Sequence, residues 1–418
     1  MATLTAPLGN LETLGIGKET NYGVFATPTL WHAHTDFAPK PKNELIPLTG
    51  ARKHYGQTRP RTAGFTGDAS LDVEQDADTI PQLLAYALGA QTAPTLFQYV
   101  STTLTGATTI GATTFAVADV TNIFPGQTIT FDTAGNIEPL LVSAVVAVAG
   151  NTGPGTLTTA AAAKAHASGV TVTASSTVAY GSNFTMGNLP SFSIELNRVT
   201  DAVRYLGCVV DSMAFSIAAK AGLSTKYTLV YQSEFVTTPA ATATPTFSTK
   251  GPYIFENPYN IASFNGSVIG QPGQVTVLSA NINLANNLMK GYRSFGGGRI
   301  IQSFPQLQRK VTGSVTLGFE TNAAYLAFLG STTGPALVTV PGITLSFKCV
   351  ASDFADPTAQ VYYAITFKLG AVTLSMHEVN NKSNSVLEQT FQFESAESGA
   401  GNNDDLSVSV TTTSPTIY

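Results

Sequence analysis

The sequence predicts a mainly β protein: two tandem β-sandwich or barrel domains of one kind, each with one short helix, plus a small all-β module inserted in the first. Three observations predict it. Apolar and polar residues alternate along most of the chain, only two segments have helical spacing, and those two segments sit in matching sequence surroundings.

The alternation is the signature of strands with one buried and one polar face. Leu71 and Val73 alternate with Asp72 and Glu74, and Phe192, Ile194 and Leu196 with Ser193 and Glu195. Met213, Phe215 and Ile217, then Tyr227, Leu229 and Tyr231, continue it. Val315, Leu317 and Phe319, then Tyr363, Ile365, Phe367 and Leu369, then Phe391 and Phe393 repeat it later.

The first helix is expected over Asp78–Leu88, with Asp78 or Thr79 as cap, Pro81 in the first turn and Gly89 as the stop. The second is expected over Thr321–Leu329, ended by Gly330. Their surroundings align. GDASLDVEQDADTIPQLLAYALG, Gly67 to Gly89, and GSVTLGFETNAAYLAFLG, Gly313 to Gly330, both pass from glycine through a strand with a glutamate into a short helix. TLVYQSE at 228–234 likewise matches TFQFESAE at 390–397, which reads as an internal duplication.

The halves differ in one interval. From Gly89 to Phe192 is 103 positions, but from Gly330 to Ile343 only 13. The excess consists of short strand-like runs punctuated by Gly, Pro and Asn, as in PGQTITFD and EPLLVSAVVAVAG. The expected division is therefore a first domain over 1–99 and 177–240, an inserted module over 100–176, a linker over 241–260 rich in Thr, Ala and Pro, and a second domain over 261–418.

Composition narrows the function. Charged residues make up 11% of the 418 positions, against about 25% in an average soluble domain. A surface so poor in charge does little to keep copies apart, which suits a subunit that packs on many sides. The net charge of −5 offers no basic face for nucleic acid. Cys208 and Cys349 are too few for a disulfide framework and sit in apolar runs, so both read as small buried hydrophobes. The N-terminus lacks a secretory pattern, and no run approaches the roughly 18 apolar residues of a membrane helix. The expectation is a chain made in a cytoplasm that stays soluble until it assembles, with no membrane partner.

RTAGFTGDASLDVEQDADTIPQLLAYALGA, NLPSFSIELNR and RYLGCVVDSMAFSIAAKAGLSTKYTLVYQSE resemble tail tube proteins of long-tailed (siphovirus-like) bacteriophages. VLSANINLANNLMKGYRSFGGGRIIQSFPQLQRKVTGSVTLGFE resembles the second tube domain of their duplicated form, so the resemblance covers most of the chain outside the insert. It implies a structural virion protein, not an enzyme, with no cofactor. Its sheets would join those of neighbouring copies, three chains with two tube domains each completing a pseudo-sixfold ring, and the rings would stack into a hollow tail tube. Double-stranded DNA would pass through without sequence-specific binding. The partners implied are further copies of the chain and the tail terminator, distal tail and tape-measure proteins. The insert would decorate the outside, which points to a non-contractile tail. The rival reading is a surface adhesin or carbohydrate-binding β-protein, favoured by the insert and the Thr-rich surface.

Two long loops, Phe37 to Ala63 and Asn287 to Lys310, precede the two strand–helix units. By resemblance they reach the adjacent ring, and they carry Arg52, Lys53, Arg59, Arg61, Arg293, Arg299, Arg309 and Lys310, of which the arginines suit forked hydrogen bonds across an interface. The strand at 68–76 would put Asp68, Asp72, Glu74 and Asp76 on one face. With Glu320 in the second half, these are the candidates for a lumen lining that repels phosphate.

Other chemistry finds little support. His32, His34 and Asp36 alternate but bring no third and fourth metal ligand. GGGR at 296–299 lacks the Lys-Ser/Thr of a phosphate loop, GNNDD at 401–405 lacks the spacing of a calcium loop, and no G-x-S-x-G elbow occurs.

Overall fold

In the computed structural model the described residues are 12–46, 61–74, 76–121, 123–149, 152–198, 201–237, 245–271, 274–295, 297–320, 322–331, 335, 342–357, 359, 361–380, 387–399 and 401–418. The first half begins with β1 (Thr13–Lys18), β2 (Leu30–His32), β3 (His34–Ile46), β4 (Arg61–Glu74) and α1 (Ile80–Leu88). Then come β5 (Gly89–Gln91), β6 (Thr95–Thr103), β7 (Thr114–Val117), β8 (Thr128–Phe131), β9 (Glu138–Ala149), β10 (Thr152–Thr159) and β11 (Thr171–Met186). It closes with β12 (Phe192–Asn197), β13 (Ala202–Ala218), β14 (Ser224–Tyr231) and β15 (Ser233–Thr237). The second half has β16 (Ile261–Phe264), β17 (Ser267–Ile269), β18 (Val277–Ala285), β19 (Lys310–Gly318) and α2 (Ala323–Leu329). It ends with β20 (Ile343–Asp356), β21 (Val361–Asn380), β22 (Glu388–Ala396) and β23 (Ser407–Thr412). The fold is mainly β and the pairing antiparallel, as the alternation predicts.

One pairing scheme occurs twice. In the first half β2 pairs β1, β1 pairs β12, β12 pairs β13 and β13 pairs β15; in the second, β17, β16, β20, β21 and β23 pair in the same succession. A second ladder, β3–β4–β14–β13, recurs as β18–β19–β22–β21. The long strands β13 and β21 run through both ladders of their half, and the apolar faces of both ladders meet in one core. Phe215 and Phe367, one from each half, pack at 4.5 Å, so the core is continuous across the chain.

The register repeats too. Gly67 lies opposite Tyr231 and Gly313 opposite Phe393, and a Cβ on either glycine would overlap the facing ring. Each glycine is thus a backbone site that the facing aromatic ring approaches too closely for a side chain.

α1 is wholly buried, with Tyr86 stacked on Phe192 at 4.6 Å. Its one polar side chain on the core side, Gln82, donates to the Ile16 carbonyl, Thr29 and Tyr86 and faces His32 Nε2 at 2.9 Å. Burial pushes the His32 imidazole down to about 4, so it is a neutral core residue with its Nε2 engaged by Gln82. Thr79 precedes the helix without a side-chain cap, and Gly89 at φ 94° ends it, donating to the Ala85 carbonyl. Gly330 ends α2 in the same way. Cys208 and Cys349 are free and buried; burial pushes the Cys349 thiol up to about 12.

Two expectations change. Phe37–Ala63 is not a loop over its described part: β3 and β4 form a hairpin, with 47–60 outside the described residues. The linker, over its described part, is built into the body. Tyr253 is fully buried, and backbone bridges join Asp76 to Pro252, Gly222 to Ile254 and Tyr253 to Ala351.

Residues 100–174 have a core of their own, including Val100, Phe115, Ile129, Phe131, Leu157 and Val172. Their strands pair in a closed circuit, β6–β11–β8–β9–β10–β7, returning to β6 through the Leu104–Val117 bridge and the Ala118 N to Thr103 O bond. Closure leaves this small barrel without an open edge among the described residues. It touches the second half, where Gln127 donates to the Ala359 carbonyl at 2.6 Å and Ser176 to Asp356 at 2.5 Å.

The twin glycines are directly testable. Gly67→Ala and Gly313→Ala each force a methyl group against a buried ring, and each is expected to lower unfolding free energy by about 1–3 kcal/mol, read as a lower urea midpoint with an unchanged slope.

Candidate assembly surface

The eight-stranded ladder β3–β4–β14–β13–β18–β19–β22–β21 is joined at its centre by β13 and β18, which pair from Ser212↔Ala285 to Ala218↔Ser279. Asn286 locks this seam. Fully buried, it donates to the carbonyls of Ala87 at 3.1 Å and Val210 at 2.9 Å, while its backbone N–H reaches the Asp211 carbonyl. Sequence reasoning missed this residue; its signal is the Asn-Asn pair at 286–287 directly after a strand, with Asn287 at φ 50°.

The face of this ladder turned away from the core carries small polar side chains with few charges. Asp68, Ser70 and Asp72 of β4, Ser212, Ala214 and Ser216 of β13, Asn281 and Asn283 of β18, and Thr312, Ser314 and Thr316 of β19 lie on it. Several of its acids are paired: Lys226 meets Asp72 at 3.2 Å, Lys290 meets Asp68 and Asp211 at 3.0 Å each, and Lys310 meets Glu394 at 2.8 Å. Asp76 leaves the face. It lies beyond β4, buried, at the bridge to Pro252, so it is no surface acid. The side chain of Glu74 lies outside the described part. Glu320 is exposed past the end of β19 and accepts from Thr276 at 2.7 Å.

The basic loop residues divide. Arg52, Lys53 and Arg59 lie outside the described residues, and Arg61 is exposed at the start of β4. Arg293 and Arg299 turn onto the chain's own hairpin. Arg293 forks onto Glu44 at 2.7 and 3.0 Å and donates to the Phe65 carbonyl, and Arg299 donates to Asn43. Arg309 donates to the Leu88 carbonyl at the C-terminal end of α1 and to the Gly187 carbonyl. Leu288, Ile301 and Phe304 pack with Val209 and Val230 in a small third core. The loop 287–309 is therefore a strap between the two halves of one chain, and three of the expected inter-ring arginines are engaged within it. Lys310 is engaged with Glu394.

Two stretches of the ladder have no strand partner on their outer side among the described residues: β3, and β21 from Thr373 to Asn380. Beside the end of β3, Leu45, Ile46, Tyr292 and Phe295 are exposed apolar side chains. Open edges, an exposed apolar rim and a weakly charged face define a structural β-protein fitted for association. A family model described as phage tail tube protein matches residues 9–413, and the chain belongs to that family. No single curated protein is similar enough to the chain to be compared with it. Among the described residues no cluster of side chains is arranged to hold a metal, and no helix is long and apolar enough to cross a membrane.

The strap depends on the Arg293 fork. Arg293→Ala is expected to cost about 1–3 kcal/mol and to speed proteolytic cleavage within 287–309. Arg293→Lys, which cannot fork, is expected to recover less than half of the loss.

Proposed function

We propose that three copies of this chain close into a ring with pseudo-sixfold symmetry, and that stacked rings form the hollow tail tube through which double-stranded DNA passes. The β13–β18 seam carries this reading. It joins the edge of one four-stranded ladder to the edge of its counterpart, and the equivalent edges, β21 and β3, are the two left open. Repeating the seam between chains, β21 of one to β3 of the next, satisfies every edge of a closed barrel. Two tube domains, over 1–99 with 177–240 and over 261–418, supply the two ladders, with 241–260 between them.

The weakly charged outer face of the ladder is the proposed lumen lining. Asp68, Asp72 and Glu394 on it are paired with lysines, and its Ser, Thr and Asn side chains offer phosphate no clustered positive charge to bind. Ring stacking is assigned to the hairpin end, with Arg52, Lys53, Arg59 and Arg61 and the exposed apolar rim. The barrel of 100–176, which has its own core and no open edge, is assigned to the tube exterior, where it would obstruct a contractile sheath. Tail terminator, distal tail and tape-measure proteins are the partners expected in the virion.

Electron microscopy of the purified chain tests the reading: hollow filaments with threefold rings and six inner lobes are expected, and discrete monomers that bind glycans would instead establish the adhesin. Lysines at Asp72 and Glu74 are expected to leave tubes intact but to retain DNA within them. DNA delivery unchanged by both substitutions overturns the lumen assignment.

A further inference from the structure

The two helices occupy matching places in the repeat but are not covered alike. All nine residues of α1 are buried. In α2, Tyr325 is 36% exposed, and Leu326, Phe328 and Leu329 are only half-buried. What closes over the end of α1 comes from the other half of the chain. Asn286 donates to the Ala87 carbonyl and Arg309 to the Leu88 carbonyl, both reaching across the β13–β18 seam.

The repeat identifies what stands in the place of Asn286 on the open edge. Ile282 of β18 lies opposite Gly313, and Pro41 of β3 lies opposite Gly67. Four residues further along come Asn286 and Leu45. By alternation Leu45 shares its side of β3 with Phe37, which packs against the core, yet Leu45 is 56% exposed. A leucine on the core side of a strand is ordinarily covered.

On the outer face the same count matches Glu378 with Ser212. Their cross-strand partners, Thr390 and Thr228, each lie three residues before the ring that faces a repeat glycine. Ser212 pairs with Ala285, so a repeated seam sets Glu378 opposite Glu44 and diagonal to Lys42. Arg293 already holds Glu44, whereas Lys42 and Glu378 are exposed and of opposite charge.

We propose that the half-covered end of α2 receives Leu45 of a neighbouring copy of this chain, as the end of α1 receives Asn286, and that Lys42 of that copy pairs with Glu378. This rests on the ring reading and deepens it by naming the lateral contacts. The seam inside the chain is locked by a buried amide. The seam between chains is locked instead by an apolar contact of Leu45 with Phe328 and Leu329 and by one exposed ion pair. Such a pair adds little strength but selects register, because a slip of one residue turns the two charges to opposite faces. Leu45 thereby belongs to the lateral seam, and Ile46, Tyr292 and Phe295 are left to the stacking end.

Amide hydrogen exchange on the full chain, unassembled and assembled, reads the end of α2 directly. Leu326–Gly330 are expected to exchange at least tenfold faster than Ala85–Gly89 before assembly and to slow at least tenfold in tubes. Leu45→Asp is the companion variant. Because Leu45 is exposed in the single chain, the variant is expected to keep its fold by circular dichroism while losing at least tenfold in tube yield. Lys42→Glu is expected to lower the yield at least threefold, and Glu378→Lys in the same chain to restore it. Slow exchange at α2 before assembly would show that residues of the same chain cover it and would overturn the inference. Rings that form with α2 still fast, Leu45→Asp as productive as the parent, or Lys42→Glu without rescue would overturn it while leaving the ring intact. A chain that forms no rings at all overturns the tube reading itself.

Discussion

The backbone ladder between β13 and β18 is the interaction on which the rest of the structure depends. A four-stranded ladder has two edges, and each half of the chain contributes one such ladder. Joining them inside one polypeptide removes two of the four edges at no cost in translational freedom. The seam then fixes where everything else can go. Asn286 leaves β18 pointing at the end of α1, the strap over 287–309 must cross onto the first half, and Arg309 arrives at the carbonyl of Leu88. The third small core, where Leu288, Ile301 and Phe304 meet Val209 and Val230, forms because the strap has been brought there.

The chain treats its edges in two ways. The inserted barrel closes on itself through six strands and presents no ladder to a neighbour. The main body leaves β3 and part of β21 open. A closed module can be carried on a surface without recruiting copies; an open ladder cannot. Within the insert, His166 is buried against Glu138 at 2.9 Å and near Asp132 at 3.5 Å, an internal tie that holds the turn at 132–138 to the segment at 163–166. Such a tie serves rigidity, and the barrel core of Phe115, Phe131 and Leu157 does the same.

Much of the fold was legible in the sequence because its signals are local. Alternation located the strands, Gly89 and Gly330 located the helix ends, and the matched glycines at 67 and 313 carried the repeat into three dimensions, each beneath an aromatic ring. What was misread depends on distant partners. β3 looked like a loop because FAPKPKNELI is proline-rich and polar; it is a strand because β4 pairs with it, a fact no local pattern contains. Asp76 continued the alternation of Asp68, Ser70 and Asp72 by count, yet the turn into α1 begins at it, its carbonyl accepting from Thr79 and Ile80, and the residue is buried. The arginines of the second loop were recognised as interface residues, but the surface they grip is the first half of their own chain.

The prolines of β3 bear on how an open strand edge is kept from premature pairing. A proline nitrogen carries no hydrogen, and β3 pairs with β4 in unbroken register from Asp36↔Asp72 to Glu44↔Gly64. That ladder keeps its donors only if Pro39 and Pro41 turn their nitrogens to the outer edge. The outer edge of β3 therefore offers carbonyl acceptors but lacks two N–H donors, and Lys40 and Lys42 stand beside them. A ladder formed there has fewer hydrogen bonds than β13–β18, in which no residue is proline. In the proposed ring the seam within each chain is consequently the strong one and the seams between chains the weak ones. Weak seams do not close on random encounter at low concentration. They close when several contacts form together, around a ring and along a stack. For a chain with so few surface charges to hold copies apart, a blunted edge supplies the restraint that charge would otherwise provide.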